Sequence, residues 1–316
     1  MKKFRKKAII IVLLMLTFAV GTIFFLQTHD HPAMPVAACG SIDEIFIIGN
    51  TFDDQSGDLL ASGIYILDKD RYKMSLYNNM TLIDSMSFEK IALDKDNNLF
   101  SIVRKQDENA IYEIWKINNG IVLNKYDITN SIDEKNNGGI RAFTIDGNGN
   151  FFIREISSDE VIVIDKSGFE TSRLKDVASD ISFESMATGK DGQVYALFCK
   201  NIDAGSGFKI ISFADGLINE ICNGNILPTE EIYSVMGTCT KYDLVMKGIY
   251  GVYGYNFNSE AAENIIYFPP FEAEFTKSFF VEDELYIFFT DIDDDKRHKI
   301  KSIELKTIDL VTGVFQ

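Results

Sequence analysis

The side chains in this sequence best placed to do chemistry are carboxylates. Asp291, Asp293 and Asp295 in DIDDDKRHK stand at alternate positions, the spacing with which calcium loops aim oxygens at one ion. Lys296 occupies the place where an EF-hand loop needs glycine, and Ser302 the place of its bidentate glutamate, so this segment reads as an acidic, solvated hairpin tip. Asp94/Asp96/Asn98 and Asp146/Asn148/Asn150 repeat the same alternation. Histidine is confined to His29, His31 and His298, too few and too scattered for a histidine general base or a multi-histidine metal centre. Cys39, Cys199, Cys222 and Cys239 contain no CxxC pair, which argues against a zinc site or a redox dithiol and leaves buried thiols, or one disulfide, as their roles. GxSxG, P-loop and dinucleotide fingerprints are absent. The sequence therefore nominates no catalytic residue, no metal ligands and no cofactor, and leaves the binding residues unknown.

The elements that would position these acids come from an internal repeat. Pairs of large apolar residues recur at Ile45-Phe46, Leu99-Phe100, Phe151-Phe152, Val194-Tyr195, Leu244-Val245 and Leu285-Tyr286, with spacings of 54, 52, 43, 50 and 41. Eight residues before the second member of each pair stands a small residue: Ala38, Ala92, Thr144, Ala187, Gly237 and Ser278. A period of 40 to 50 residues is the mark of a propeller or a related array. Small residues suit the innermost strand of each blade, where neighbouring blades crowd around a central axis. Asp94 to Asn98, Asp146 to Asn150 and Gly189 to Gln193 lie between the two markers and read as hairpin turns, because Gly, Asn and Asp tolerate positive φ. A further β-rich run and turn closes each unit, as in IYEIWKINNG (111–120) and VIVIDKSG (161–168). The prediction is all-β: six blades of four antiparallel strands over 34–316, with Trp115 in blade packing. Val314 to Gln316 leave little for a last outer strand.

Units such as IALDKDNNLFSIV, FTIDGNGNFFIRE and MATGKDGQVYALF resemble the repeat of NHL and TolB-like six-bladed propellers, while VMGTCTKYDLVMK and SFFVEDELYIFF lack the Asp-Gly turn. The resemblance implies binding of a ligand or partner by loops at one end of the channel. Lactonase-like propellers hold a divalent cation with side chains of their inner strands. By that likeness Glu89 and Glu184, each three residues before its small marker, are the acids from which a cation-dependent hydrolase or lyase would be built.

The N-terminus supplies an address. MKKFRKK precedes nineteen uncharged, mostly apolar residues, Ala8 to Leu26, which as a helix would span about 28 Å, enough to cross a bilayer core. The run exceeds the apolar stretch of a cleaved signal peptide, and the basic cluster keeps residues 1–7 in the cytoplasm. The expected organisation is a cytoplasmic segment 1–7, a transmembrane signal anchor 8–26, a linker 27–33 and an extracytoplasmic propeller 34–316. Val36-Ala37-Ala38-Cys39-Gly40 also fits a lipidation box or a cleavage site, but both normally follow the apolar run directly. The chain has a net charge of −16; residues 1–40 contribute +4, so the remainder carries −20. Such a domain repels nucleic acid and anionic lipid. The expectation is a non-enzymatic binding or scaffolding module for a protein, peptide or glycan; the alternative is the cation-dependent hydrolase or lyase.

Overall fold

The computed structural model describes residues 33–315 apart from short stretches in the connections between strands, the longest being 201–207, 225–231 and 268–274. The expected anchor 8–26 and the linker histidines His29 and His31 lie outside the described residues. No helix among the described residues is long and apolar enough to cross a membrane.

Among the described residues, twenty-four strands form six four-stranded sheets, each made of four consecutive strands in a simple meander. The first holds β1 (Met34–Gly40), β2 (Ile45–Phe52), β3 (Leu59–Asp68) and β4 (Lys73–Leu82); the second β5 (Met86–Leu93), β6 (Leu99–Lys105), β7 (Ile111–Asn118) and β8 (Ile121–Asp127). The third holds β9 (Ile140–Ile145), β10 (Phe151–Glu155), β11 (Glu160–Ile164) and β12 (Glu170–Lys175); the fourth β13 (Ile181–Thr188), β14 (Val194–Lys200), β15 (Phe208–Ala214) and β16 (Leu217–Gly224). The fifth holds β17 (Ile232–Gly237), β18 (Leu244–Gly248), β19 (Gly251–Asn256) and β20 (Ala261–Tyr267); the sixth β21 (Phe275–Val281), β22 (Glu284–Asp293), β23 (Lys296–Asp309) and β24 (Val314–Phe315). The first strands lie side by side in chain order, β1 against β5, β5 against β9 and onward, and β21 returns to β1. The fold is a β-propeller with these sheets as blades, and among the described strands none is exchanged between the ends of the chain.

Sequence dictates this arrangement through burial on both sheet faces. Side chains alternate along a strand, and in β10 Phe151 and Ile153 enter the core shared with the second sheet while Phe152 enters the core shared with the fourth. β14 divides in the same way, Val194 and Ala196 backward, Tyr195 and Leu197 forward. Strands such as β10, β11 and β14 therefore read as nearly continuous apolar runs, as strands buried on both faces must. Each apolar cluster fills a seam between neighbouring sheets: first to second, second to third, third to fourth, fourth to fifth, and sixth back to first. All six small marker residues lie on the innermost strands. The crowding there is visible where Thr144 Oγ1 meets Thr188 Oγ1 of the next inner strand at 2.7 Å.

The outermost strands face solvent and are irregular. β24 has only two residues, as the chain end suggested. β8 exposes Ile121 and Leu123. Trp115 on β7 is buried in the seam between the first and second sheets, edge-on to Phe88 and covered by the Lys125 ammonium 4.0 Å from its ring centre. It is a packing residue.

Candidate functional site

The hairpin turns between first and second strands, and between third and fourth, share one end of the propeller, and in the second and third sheets the leading acid of the first such turn is committed to turn geometry. Asp94 Oδ1 accepts the N–H groups of Asp96 and Asn98 at 2.9 and 2.8 Å, and Asn98 Nδ2 donates to Oδ2 at 2.8 Å. Asp146 repeats the pattern with Asn148, Asn150 and the Asn150 amide. The fourth turn residue has positive φ in each case: Asn97 at 59°, Gly149 at 86°, Gly168 at 90° and Gly192 at 78°. The alternate acids thus serve the turn, and among the described residues no three His, Cys, Asp or Glu side chains converge on a metal position. Asp291 and Asp293 fall on β22 near the tip of its hairpin with β23; their side chains and residue 295 lie outside what is described.

Two of these turns touch. Gly147 N–H donates to Gly192 O at 2.8 Å, and a Cβ on either glycine would lie 3.0 Å from the other's Cα. The contact brings the third and fourth sheets together at their turn ends. Beside it opens a cleft of about 510 Å³ floored by Phe152, Val163, Leu174 and Phe213. Asp146, Asn148 and Asn150 rim one wall, Asp191 and Gln193 the other, and Thr171 and Ser172 of β12 close the outer side. No lysine, arginine or histidine is among the lining residues.

The cleft exists because two positions in this seam are smaller than their counterparts in the preceding one. Tyr126 pairs with Ile114 on its blade as Leu174 pairs with Val161, and Phe151 opens its second strand as Val194 does. Between the second and third sheets, Tyr126 and Phe100 pack on Phe151 at ring-centre distances of 5.7 and 5.2 Å. Between the third and fourth, Leu174 and Val194 stand in those places. Phe213, where the third sheet has Ile164, recovers part of the volume by approaching Phe152 at 5.9 Å. Strand β12 is held from behind: Arg173, pointing away from Leu174, donates to Ser131 O at 2.7 Å and pairs with Glu170, and the guanidinium hydrogen bond lowers the Glu170 pKa. On the opposite wall Tyr195 OH donates to Asp191 Oδ2 at 2.6 Å; burial first, then this carboxylate, raises the tyrosine pKa.

Other residues singled out from the sequence do not join this site. Glu89 and residue 184 each occupy a β-bulge of an inner strand, where the register slips between 88 and 90 and between 183 and 185. Glu89 accepts a 3.0 Å hydrogen bond from Ser87 Oγ; the Glu184 side chain lies outside the described residues. The third sheet has the same bulge at Arg141, between Ala142 and Ile140. A cationic residue therefore holds the position between the two acids, a feature legible beforehand in its offset of three from Thr144. Cys39 on β1 borders the seam between the first and second sheets, and desolvation raises its pKa. Cys239 is buried, with its pKa also raised by desolvation, and both thiols are free. Cys199 and Cys222 lie on β14 and β16, their side chains outside the described residues.

No family model matches the chain, and no curated protein matches it. Solved structures do. A protein from Lactobacillus plantarum is 13% identical, covering 89% of this chain and 83% of its own, with a TM-score of 0.53. A streptogramin B lyase is 10% identical over 87% and 85%, with a TM-score of 0.51. A catalytically inactive histidine-to-alanine form of virginiamycin B lyase from Staphylococcus aureus, solved with quinupristin, is 12% identical over 88% and 97%, with a TM-score of 0.50. At these identities the likeness is one of fold: the chain is a β-propeller.

The contact between Gly147 and Gly192 gives a measurable difference between two left-handed glycines. Gly149→Ala meets only Lys166 Cβ at 3.8 Å and should cost about 1 kcal/mol for its backbone conformation. Gly192→Ala carries the same cost and drives a methyl against Gly147, so it should lose about 1 kcal/mol more in urea unfolding. Equal losses would mean that the two turns are not held together.

Proposed function

We propose that this chain is a binding propeller of the NHL/TolB-like, six-bladed kind, held on the extracytoplasmic face of the cytoplasmic membrane by residues 8–26, and that it engages a protein, peptide or glycan partner without chemical turnover. The observation that carries this reading is the open seam between the third and fourth sheets. A cleft that joins apolar side chains to a few convergent polar groups is an ordinary form of recognition site, and its acids already serve the turns that shape it.

The second reading, a cation-dependent lyase or hydrolase, draws on Glu89 and on the fold shared with the two lyases. The Staphylococcus enzyme is inactive when one histidine becomes alanine, whereas this chain has His29, His31 and His298, the last of them on the third strand of its sheet, β23. Arg141, between the two bulge acids, also opposes a divalent ion there.

Thermal unfolding of the full chain in detergent, with chelator and then with calcium, magnesium or manganese, separates the readings. A binding propeller should keep its Tm within about 1 °C throughout, since an ion that does not bind the folded state cannot stabilise it. A rise of several degrees with one ion would favour the enzyme.

The address is tested separately in cells. The chain should remain in the membrane fraction after alkaline carbonate washing, and external protease should remove the propeller. Release of a mature protein beginning near Cys39 would contradict the anchor.

A further inference from the structure

We propose that the cleft between the third and fourth sheets receives a lysine or arginine side chain from a peptide or protein partner. The inference rests on the reading of this cleft as the binding site and specifies what enters it.

Charge selects the sign of the ligand. The lining holds Asp146 and Asp191 and no cation, on a domain that carries −20 over residues 41–316. An anionic ligand would be repelled during approach and left unpaired on arrival, whereas a basic segment would be steered inward. The acids retain capacity for a donor. A carboxylate has about four acceptor positions; Asp191 uses one on each oxygen, for Gln193 N–H and Tyr195 OH. Asp146 Oδ2 accepts only the Asn150 amide among the described contacts.

Shape selects the kind of cation. Phe152, Val163, Leu174 and Phe213 line the cleft together with the polar residues of two turns, so a ligand that matches it brings a hydrocarbon stem and a terminal donor together. Lysine and arginine have that construction. Leu174 and the exposed edges of Phe152 and Phe213 would contact the stem, with the rim carboxylates and amides taking the head group. A small metal ion would leave the floor empty. A saccharide would find no open aromatic face to stack on, because Phe152 and Phe213 are only 6% and 4% exposed, and a neutral sugar gains nothing from the acidic field.

The test uses the full chain in detergent and dye-labelled nonapeptides with Lys, Arg, Gln, Leu or Glu at the centre of otherwise identical flanks, alongside malto- and chito-oligosaccharides. Affinity is read by anisotropy for the peptides and by calorimetry for the sugars. Three variants accompany the wild type. Gln193→Lys places a cation at the rim without removing a turn acid, Asp191→Asn removes one charge, and Leu174→Tyr fills the cleft with the aromatic that closes the neighbouring seam. The Lys- and Arg-centred peptides should bind at least tenfold more tightly than the Gln-centred one. Gln193→Lys should weaken them tenfold or more with the Tm retained, Asp191→Asn should weaken them tenfold or more with some loss of Tm because Tyr195 OH loses its carboxylate acceptor, and Leu174→Tyr should abolish binding. If Gln- or Leu-centred peptides or the sugars bind equally well and are lost in Leu174→Tyr, the cleft remains a binding site but the basic side chain is wrong. If binding is indifferent to Leu174→Tyr, the cleft itself is wrong; if no Lys or Arg peptide binds at millimolar concentration, the proposal is overturned.

Discussion

The structure depends on one packing constraint: the second and third strands at the described seams carry apolar side chains on both faces, and only a neighbouring sheet can cover them. An isolated four-stranded sheet of this sequence would leave Phe100, Phe151, Phe152, Tyr195 and Phe213 in water, yet each is buried in a seam. Burial of side chains this large contributes about 2–3 kcal/mol apiece, so the seams hold the ring together more than any hydrogen bond between blades. The polar ties found there, Thr144 with Thr188 and Gly147 with Gly192, fix how adjacent sheets register. Closure follows from the same constraint, since without β21 and β22 beside it the first sheet would expose Ile45, Ile47 and Leu67.

An open cleft can then arise by subtraction. The seam between the second and third sheets is sealed at its turn end by Tyr126 against Phe151, with Gly168 leaving room for the tyrosine ring. Leu174 and Val194 at the corresponding places leave the next seam open. The turns around that opening are rich in Asp, Asn and Gly because tight hairpins favour them, so the polar rim follows from turn chemistry. The Asp146 and Asp191 carboxylates shape the loops and give the cleft its charge.

Much of the architecture was readable in the chain. The paired apolar markers fall at the starts of the second strands and the small residues on the first strands, because the period reflects blade geometry directly. The reading of Asp94 and Asp146 as turn acids agrees with their hydrogen bonds. The cleft was not readable. Its cause is a comparison of Leu174 with Tyr126 and of Val194 with Phe151, which acquires meaning only once strand register shows that these positions are equivalent. Asp191 and Gln193 were read as one more hairpin turn, and nothing local to them reveals that Gly147 of another blade is their neighbour. Arg141 was accessible through its offset from Thr144, yet its importance emerged only when the bulges of three inner strands proved to coincide.

The central claim, that this open seam is where a partner docks, is tested most directly by amide hydrogen exchange across the full chain with and without a Lys-centred nonapeptide. The account predicts slowed exchange confined to residues 147–150, 171–174 and 191–193, with the closed seam around Phe151 and Tyr126 unchanged. Protection at the opposite end of the propeller, or along the outer face of β8, with none at the cleft would contradict it.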